Sequence, residues 1–407
     1  MQRTLVLAAA GGVAVASVYY APPLLDVLAA DFDLPRATVG TVVTATQVGY
    51  GLGLALVVPL GDRLDRRRLI VGQFALSAVA LAAVGVAPSA RWLLGALAVT
   101  GVLAVVTQVL VAHAAGLAEP ADRGAAVGTV TGGIVLGILL ARVVAGTLAD
   151  VAGWRAVYLT AAALALVMAE LLRRTLPRRP QQRVWLSYPG LLRSTARLFV
   201  EVPVLRVRAV LALLTFAAMT VLLTPMALPL SAPPYALSTT AIGLFGLAGA
   251  AGALGATRAG RLADRGKARR VTTIGLVVML AAWLPAVLLP WSLWGLVIGV
   301  VAFDFGLQSV HVTNQNVVHR ADHRAPSRLT AVYMIFYSIG SAAGAAASTT
   351  MYAAAGWRGV CALGAGISLV ALAFFLVTER ITDRRNRHDA LPHGPHPRRR
   401  RLLPRGR

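Results

Sequence analysis

The sequence predicts an all-α membrane protein in which twelve transmembrane helices form two parallel six-helix halves. Three observations support this prediction: the composition, the length of the apolar runs and an internal repeat. Hydrophobic residues make up 57% of the 407 residues and charged residues only 14%, whereas soluble domains contain about 25% charged residues. The apolar runs are roughly 20 residues long, which is enough to cross a bilayer as a helix. This composition excludes a soluble enzyme, a soluble nucleic-acid-binding protein and a disordered chain.

Twelve apolar segments are predicted to be the membrane-spanning helices. The first is interpreted as a retained span, because its apolar stretch runs past Ala21 without the break of a signal peptide. The approximate bounds of the twelve are 4–28, 38–60, 69–88, 92–117, 125–149, 154–172, 207–230, 239–259, 271–289, 292–318, 328–351 and 357–378. The predicted units are therefore an N-terminal bundle (1–178), a basic linker (179–206), a C-terminal bundle (207–380) and a basic disordered tail (381–407).

The net charge of +23 is spread over the short loops between the apolar runs. Nearly all lysines and arginines fall on the side of the two termini, and the exceptions are Arg36, Arg91, Arg142, Arg155 and Arg358. The positive-inside rule then places both termini in the cytoplasm and the chain in the inner (plasma) membrane. This distribution argues against a nucleic-acid partner and favours contact of the basic loops and tail with anionic lipid. The single cysteine, Cys361, excludes an internal disulfide.

The linker combines arginines with apolar and aromatic residues. These are Trp185, Leu186, Tyr188, Leu191 and Leu192. An alternation of basic and apolar residues over this length is typical of a short helix that lies at a membrane surface. We therefore expect such a helix between the two bundles.

Three landmarks of the first half recur in the second at nearly the same sequence offset. The matched segments are Gly153–Arg155 with Gly356–Arg358, Leu34–Gly40 with Leu237–Gly243, and Asp62–Arg63 with Asp264–Arg265. Two parallel repeats imply a pseudo-two-fold axis along the membrane normal and a cavity between the halves. This is the geometry of a transporter that rocks one half against the other.

The loops Gly61–Arg68 and Gly260–Arg270 both contain an Asp-Arg pair followed by basic residues. Both resemble the loop signature of the major facilitator superfamily, although Val58 and Asp65 depart from it in the first copy. The resemblance covers essentially residues 4–378 and implies the twelve-helix fold and secondary transport. An aspartate at a helix end can accept hydrogen bonds from a neighbouring helix and pair with arginine. The predicted cytoplasmic gate therefore consists of Asp62, Arg63, Arg66, Asp264 and Arg265.

One helix of the second half carries a polar stripe. Asp304, Gln308, His311 and Gln315 recur at i, i+4, i+7 and i+11, and Asn314 lies beside them. Asp304 is expected near the bilayer centre, where an acid is by default functional. Burial disfavours the charged form of a carboxyl group, so Asp304 is the candidate proton carrier and His311 its companion. The alternative is a structural hydrogen bond or ion pair with another helix.

Arg142 is interpreted as the one basic residue deep within a span. It needs a carboxylate, several acceptors or water as partner, and both Asp304 and an anionic group of a substrate qualify. Glycines 128, 132, 133 and 137 precede it. They resemble the glycine-rich fifth span of antiporters in the superfamily, without its proline, and this resemblance favours efflux over uptake. Close packing of helices through small residues is the alternative, as it is for the glycines repeated every three residues from Gly243 to Gly255.

The remaining predicted cavity residues are polar or aromatic side chains within spans. They are Tyr19, Tyr20, Gln47, Gln108, Tyr333 and Tyr337. Contacts with neighbouring helices or with the membrane interface are the alternative for the tyrosines.

No sequence spacing resembles a zinc or iron site, and no phosphate-binding loop followed by Lys and Ser/Thr is present. We therefore expect no cofactor, no enzymatic activity and an ion gradient as the source of energy. The sequence predicts a single-chain, proton-coupled exporter of a small amphipathic molecule. A proton-coupled importer and a membrane sensor that binds its ligand without moving it are the alternatives.

Overall fold

A computed structural model describes residues 2–119, 122–177, 187–248, 252, 259–321 and 326–389. The described residues form helices and connecting turns. The N-terminal helices are α1 (Gln2–Tyr19), α2 (Leu25–Asp31), α3 (Thr41–Leu56), α4 (Arg66–Gly85), α5 (Ala90–Ala104), α6 (Val106–Leu117), α7 (Arg123–Ala152) and α8 (Trp154–Thr175). The linker helix is α9 (Tyr188–Glu201). The C-terminal helices are α10 (Pro203–Leu223), α11 (Ala227–Ser231), α12 (Thr239–Leu244), α13 (Ala268–Ala281), α14 (Trp283–Ala286), α15 (Leu293–Ala321) and α16 (Pro326–Asp389).

Ten helical segments of the described chain are long and apolar enough to cross a membrane. One of them, Arg328–Ile381, contains the last two predicted spans and is interrupted at Gly356. The predicted eighth span is described at Thr239–Leu244 and Phe245–Ala248, and most of its remainder lies outside the described residues. The first predicted span is broken near its end, because Pro22 opens a short 3-10 turn before α2.

The buried apolar residues form two cores, each supplied mainly by one half of the sequence. The first consists almost entirely of residues from Leu7 to Leu176, and the second is dominated by residues from Leu205 to Phe375. Each half therefore packs mainly around its own core.

The internal repeat is visible in the backbone. Gly153 joins α7 to α8 with φ +81°, and Gly356 interrupts α16 with φ +62°. The left-handed region favours glycine at both junctions. The tryptophan that follows each glycine, Trp154 or Trp357, is buried. The matched motifs thus make the same turn between consecutive spans in both halves.

The repeat also relates contacts between the halves. Gly40 packs against the carbonyl oxygen of Ala345 in α16, and its counterpart Gly243 packs against the carbonyl oxygen of Arg142 in α7. A side chain at either glycine would overlap the facing backbone. Arg142 and Ala345 thus occupy equivalent places in the repeat. These close contacts hold the halves together through small residues.

Asp150, at the end of α7, adds polar contacts between the halves. Its Oδ2 accepts hydrogen bonds from the backbone N–H and the hydroxyl of Thr240, at 2.8 Å and 2.6 Å. Its Oδ1 accepts the N–H of Thr239 at 3.1 Å and that residue's hydroxyl. An anion at the first turn of a helix is favoured by the free N–H groups and the helix dipole. We call the side of the molecule that carries Asp150 the opposite face, because it lies across the molecule from the arginine-rich helix ends described next.

The other side carries the helix ends near residues 62–68, 173–177, 187–188, 261–270, 320–321 and 326–328, and we call it the arginine-rich face. Here α9 confirms the predicted linker helix from Tyr188 onward, and 178–186 lie outside the described residues. The Tyr188 hydroxyl donates to the carbonyl of Leu56 at 2.7 Å. Arg328 donates to the Ser194 hydroxyl at 3.1 Å. The linker helix therefore contacts both halves.

Arg208 lies near the start of the predicted seventh span, and the structure buries its side chain inside the C-terminal bundle. Its side chain is 7% exposed and lies 3.5 Å from Glu379. It also donates to Asn314 at 3.1 Å and to Thr272 at 3.3 Å. Arg142 is therefore not the only arginine within a span. No local sequence pattern signals this burial, because Glu379, the acid that pairs with Arg208, lies far along the chain.

The crossing of α1 and α7 yields a first prediction. A side chain at Gly137 would overlap the backbone of Gly12, so Gly137→Val is expected to destabilise the protein by about 1–3 kcal/mol through overpacking. Gly128, on the same helix, has no neighbouring atom within 4 Å of its added Cβ. The control Gly128→Val should therefore keep the wild-type melting temperature in detergent, while Gly137→Val lowers it. Equal melting temperatures for the two variants would contradict the crossing.

Candidate functional site: a cavity between the two halves

A cavity of about 830 Å³ lies between the N-terminal and C-terminal halves. Its size falls in the range of about 300–1,000 Å³ that is typical of small-molecule sites. Arg66, His319 and Arg328 line the cavity where it reaches the arginine-rich face. The contacts of Gly40, Gly243 and Asp150 close the opposite face. The cavity is therefore accessible from one side of the molecule.

Many of the predicted site residues line this cavity. They are Tyr19, Arg66, Gln108, Arg142, Asp304, Gln308, His311, Gln315 and Tyr337. Helices α1, α4, α6 and α7 supply the N-terminal members, and α15 and α16 supply the C-terminal ones. All four residues of the polar stripe on α15 lie in the wall, because their spacing places them on one face of the helix.

Asp304 projects into the cavity from α15. Its Oδ2 atom is buried and has no hydrogen-bond partner among the described residues. Gly252 of the eighth span lies against this carboxyl group, and a methyl group there would overlap Oδ2. The glycine thus makes room for the acid, in addition to the helix packing that the glycine pattern predicted.

Arg142 faces the cavity from α7, in the other half. Its guanidinium carbon lies 5.6 Å from the ring centroid of Tyr19, which is a cation–π contact. Gly246 packs on the aliphatic stem of Arg142, with the added Cβ 3.0 Å from the Cβ of the arginine. No ion pair within 4.0 Å joins Arg142 to any acid of the described chain. The pairing of Arg142 with Asp304 that the sequence left open is thus absent from this conformation.

Tyr337 is the centre of an aromatic cluster that joins the halves. Its hydroxyl lies 2.9 Å from the Tyr19 hydroxyl. Its ring centroid is 4.0 Å from that of Phe216 and 6.4 Å from that of Tyr50. Gln108 donates to the Tyr50 hydroxyl at 3.4 Å. The cluster therefore links the cavity walls of both halves beside Arg142.

His311 lies in the wall between two aromatic neighbours. Its Nδ1 atom is 2.9 Å from the Tyr333 hydroxyl, and its ring meets the edge of Phe216 at a centroid distance of 5.1 Å. Tyr333 orients the histidine from behind and does not itself line the cavity. The hydrogen bond with Tyr333 fixes the orientation of the His311 ring and occupies its Nδ1 atom.

Four predicted cavity residues lie behind the wall rather than in it: Tyr20, Gln47, Asn314 and Tyr333. Tyr20 packs edge-on against Tyr158 in the N-terminal core, at 6.1 Å. Gln47 is 3% exposed between helices. Asn314 is fully buried and accepts the hydrogen bond from Arg208. Asn314 and Tyr333 each lie beside a wall residue on the same helix, Gln315 and Met334 respectively, and a turn of about 100° per residue separates the two faces.

The predicted gate residues lie at the arginine-rich face. Arg66 donates to the carbonyls of Gly61 at 3.3 Å and Ala112 at 3.2 Å. Arg63 and Arg265 are exposed in this open conformation. The side chains of Asp62 and Asp264 lie outside the described residues, as do residues 390–407 of the tail. The latch at this face stays a prediction.

Sequence reasoning missed several apolar wall residues, including Phe216, Met219, Leu222 and Phe245. They belong to apolar runs in which every position has similar chemistry, so periodicity does not distinguish the cavity face from the lipid face. Thr195 of the linker helix also lines the cavity. No group of three or more metal-ligating side chains occurs in the described part of the chain.

Comparison with known proteins decides the family. The family model of the Major Facilitator Superfamily matches residues 7–325. The chain belongs to the major facilitator superfamily. Its twelve-helix fold of two six-helix halves is therefore established, and it is a multi-pass membrane protein and a transporter of this family.

Two relatives and one solved structure are similar along nearly the whole chain. The uncharacterized transporter YgaY of Escherichia coli O157:H7 is 47% identical over 363 residues, which are 89% of this chain and 92% of the relative. A probable transporter of Streptomyces coelicolor is 32% identical over 88% of this chain and 83% of its own. A bacterial homolog of the human lysosomal transporter Spinster, in an inward-facing and unoccupied conformation, superposes with a TM-score of 0.76. It is 15% identical, and the match covers 93% of this chain and 96% of that one. It shares the fold.

Proposed function

We propose that this superfamily member is a proton-coupled secondary active transporter that moves a small amphipathic molecule by alternating access. Asp304 carries the proposal. It is the only acid in the described wall of the cavity between the two halves, and none of the described residues forms an ion pair with it. An acid at that depth without a partner is readily protonated. Protonation of Asp304 would therefore change the charge of the cavity while the substrate is bound or released.

Export in exchange for protons is the first candidate direction. The glycines of α7 support it, through the resemblance of this helix to the fifth span of antiporters. Gly133 and Gly137 pack against α1, whereas Gly132 lines the cavity and has open space around it. Helix packing thus explains Gly133 and Gly137, whereas Gly132 is explained by its position in the cavity wall.

Import together with protons is a second candidate, and Arg142 supports it. A cation in the wall attracts an anionic substrate, and an anion binds more tightly when Asp304 is protonated. Proton and substrate would then occupy the cavity together. In an exchange mechanism, by contrast, each must displace the other. The direction of coupling therefore follows from whether the two ligands bind together or compete.

We also propose that the arginine-rich face is cytoplasmic, in the inner membrane, because cytoplasmic loops carry the excess of Lys and Arg. The conformation with the cavity open to that face is then the inward-facing one. One chain contains both halves and the whole cavity, which supports a monomer. Its basic loops would contact anionic lipid.

The test is the pH change that a substrate gradient drives in proteoliposomes with a pH-sensitive dye trapped inside. Drugs, nucleosides, amino acids and aryl carboxylates are added outside. Exchange makes the lumen more alkaline and cotransport makes it more acidic, in either orientation of the protein. Asp304→Asn is expected to abolish the pH change. Asp33→Asn is the matched control, because Asp33 is exposed and has φ +50°, a conformation that asparagine adopts readily.

Each outcome separates the alternatives. An equal pH change in wild type and Asp304→Asn would remove Asp304 from proton coupling. Saturable binding with no pH change and no flux would favour a sensor. Because liposomes without protein report passive permeation of weak acids, only the difference from those liposomes is scored.

A further inference from the structure

The cavity wall has an excess of positive charge, and this excess indicates the class of substrate. Arg66, Arg142 and Arg328 line the described part of the cavity, and Asp304 is the only acid there. Arg66 and Arg328 already donate to protein acceptors at the arginine-rich face. Arg142 differs from them because it lies deeper, beside the aromatic cluster of Tyr337.

Arg142 has no ion-pair partner among the described residues. Its Nε atom is buried without a hydrogen-bond acceptor among the described residues, and its guanidinium group contacts the ring of Tyr19. An arginine cannot lose its proton in a protein. A permanent cation at this depth is therefore stabilised strongly by any anion that enters the cavity.

The internal repeat shows that the arginine is not required by the fold. Arg142 and Ala345 occupy equivalent places, and each presents its carbonyl oxygen to a glycine of the other half. Alanine thus satisfies the packing at this position. The guanidinium group adds a charge to one side of the cavity only.

The remainder of the wall suits an apolar or aromatic body. Phe216, Phe245, Met219 and Leu222 contribute apolar surface, and Tyr337 stands beside Arg142 through its hydrogen bond to Tyr19. The volume of about 830 Å³ accommodates a molecule larger than an inorganic anion.

We infer that the substrate is an organic anion with an apolar or aromatic body, whose carboxylate or similar group binds Arg142. This inference rests on the proposed transport function and names its substrate class. The groups that face Asp304 are Arg142 from α7, Tyr19 from α1 and His311 on its own helix, while Gly252 adds no charge. An ionised Asp304 repels the anion and a protonated Asp304 does not. Anion and proton therefore bind together, which favours the cotransport candidate.

The experiment measures binding of three fluorescent probes to the purified protein. Dansylglycine is an anion, dansylamide is neutral and dansylcadaverine is a cation, and all three share one aromatic body. Wild type is expected to bind dansylglycine most tightly, with higher affinity at mildly acidic pH. Arg142→Gln should weaken dansylglycine binding roughly tenfold to hundredfold, as expected for loss of a charged hydrogen-bonding partner. Arg142→Lys should retain the preference for the anion.

Two further variants keep the test independent of folding defects. Asp304→Asn should bind dansylglycine more tightly than wild type at neutral pH and lose the pH dependence, which a damaged fold does not produce. Arg91→Gln, at an exposed position of the opposite face, should bind like wild type. Equal affinities for the three probes, a preference for dansylcadaverine, or no saturable binding would overturn the inference. Because no gradient is used, anion binding can hold even if proton coupling fails in proteoliposomes.

Discussion

Replacing Glu379 with alanine is expected to destabilise the C-terminal half by about 3 kcal/mol, because it leaves Arg208 buried without its counter-ion. Removal of one partner of a buried ion pair costs about 3–5 kcal/mol. The lower end of this range applies here, because the Glu379 side chain is 22% exposed, whereas the Arg208 side chain is only 7% exposed. Asn314 and Thr272 would still accept hydrogen bonds from Arg208. The apparent melting temperature in detergent should fall by roughly 5–10 °C.

The control for this prediction is Glu170→Ala. Glu170 pairs with Arg173 and Arg174 at the end of α8, and all three side chains are exposed. Exposed pairs contribute little to stability, so the melting temperature of this variant should stay close to that of wild type. The double variant Arg208→Met/Glu379→Met should recover most of the loss, because no buried charge is left without its partner and Arg269, which also lies 3.7 Å from Glu379, is half-exposed. A fall of equal size in Glu170→Ala and Glu379→Ala would contradict the role of the buried network.

The second large effect is expected from Asp150→Ala, which removes four hydrogen bonds between the halves at the opposite face. Hydrogen bonds to a charged group contribute about 1.5–3 kcal/mol in buried sites, and the exposure of Asp150 reduces this contribution. If the conformation closed at the opposite face is destabilised by about 1–2 kcal/mol, the population that is open to this face increases roughly 5- to 30-fold.

The measurement uses labelling of a cysteine placed in the cavity. Cys361 is the only native cysteine, so Cys361→Ser provides a cysteine-free background. Leu222 lines the cavity and is 1% exposed. A membrane-impermeant maleimide added at the opposite face should label Leu222→Cys faster in Asp150→Ala than in the wild-type background. Asp33→Asn, at an exposed position on the same face, should leave the rate unchanged. An unchanged rate in Asp150→Ala would show that the other contacts suffice.

The fold could be predicted from the sequence because its causes are local or periodic. Long apolar runs require helices in lipid, arginine-rich loops mark one face, and the repeated Gly-Trp-Arg motif marks one turn in each half. The positive φ angles of Gly153 and Gly356 are the physical basis of that motif. The stripe on α15 could also be predicted, since polar residues at helical spacing on an apolar helix share one face.

The partners across helices could not be predicted in the same way. Arg208 and Glu379 lie on different spans, and nothing in the sequence near either residue marks the other. Asn314 and Tyr333 lie one helical face away from the wall, a difference that is set by how α15 and α16 are rotated in the bundle. Asp150 is adjacent to a repeated motif, and its role depends on where α12 begins in the other half. Such contacts depend on tertiary packing, which helical periodicity does not encode.

The most direct test of alternating access driven by Asp304 is a pair of distance measurements between spin labels. In the cysteine-free background, labels at Arg68→Cys and Arg270→Cys report the arginine-rich face, and labels at Arg91→Cys and Trp294→Cys report the opposite face. All four side chains are exposed, and each pair joins the two halves. Acidification is expected to shift the two distances in opposite directions. Asp304→Asn should give at every pH the distances of the acidified wild type, because asparagine resembles the protonated carboxyl group. Distances that do not respond to pH, or that respond equally in Asp304→Asn, would contradict the account.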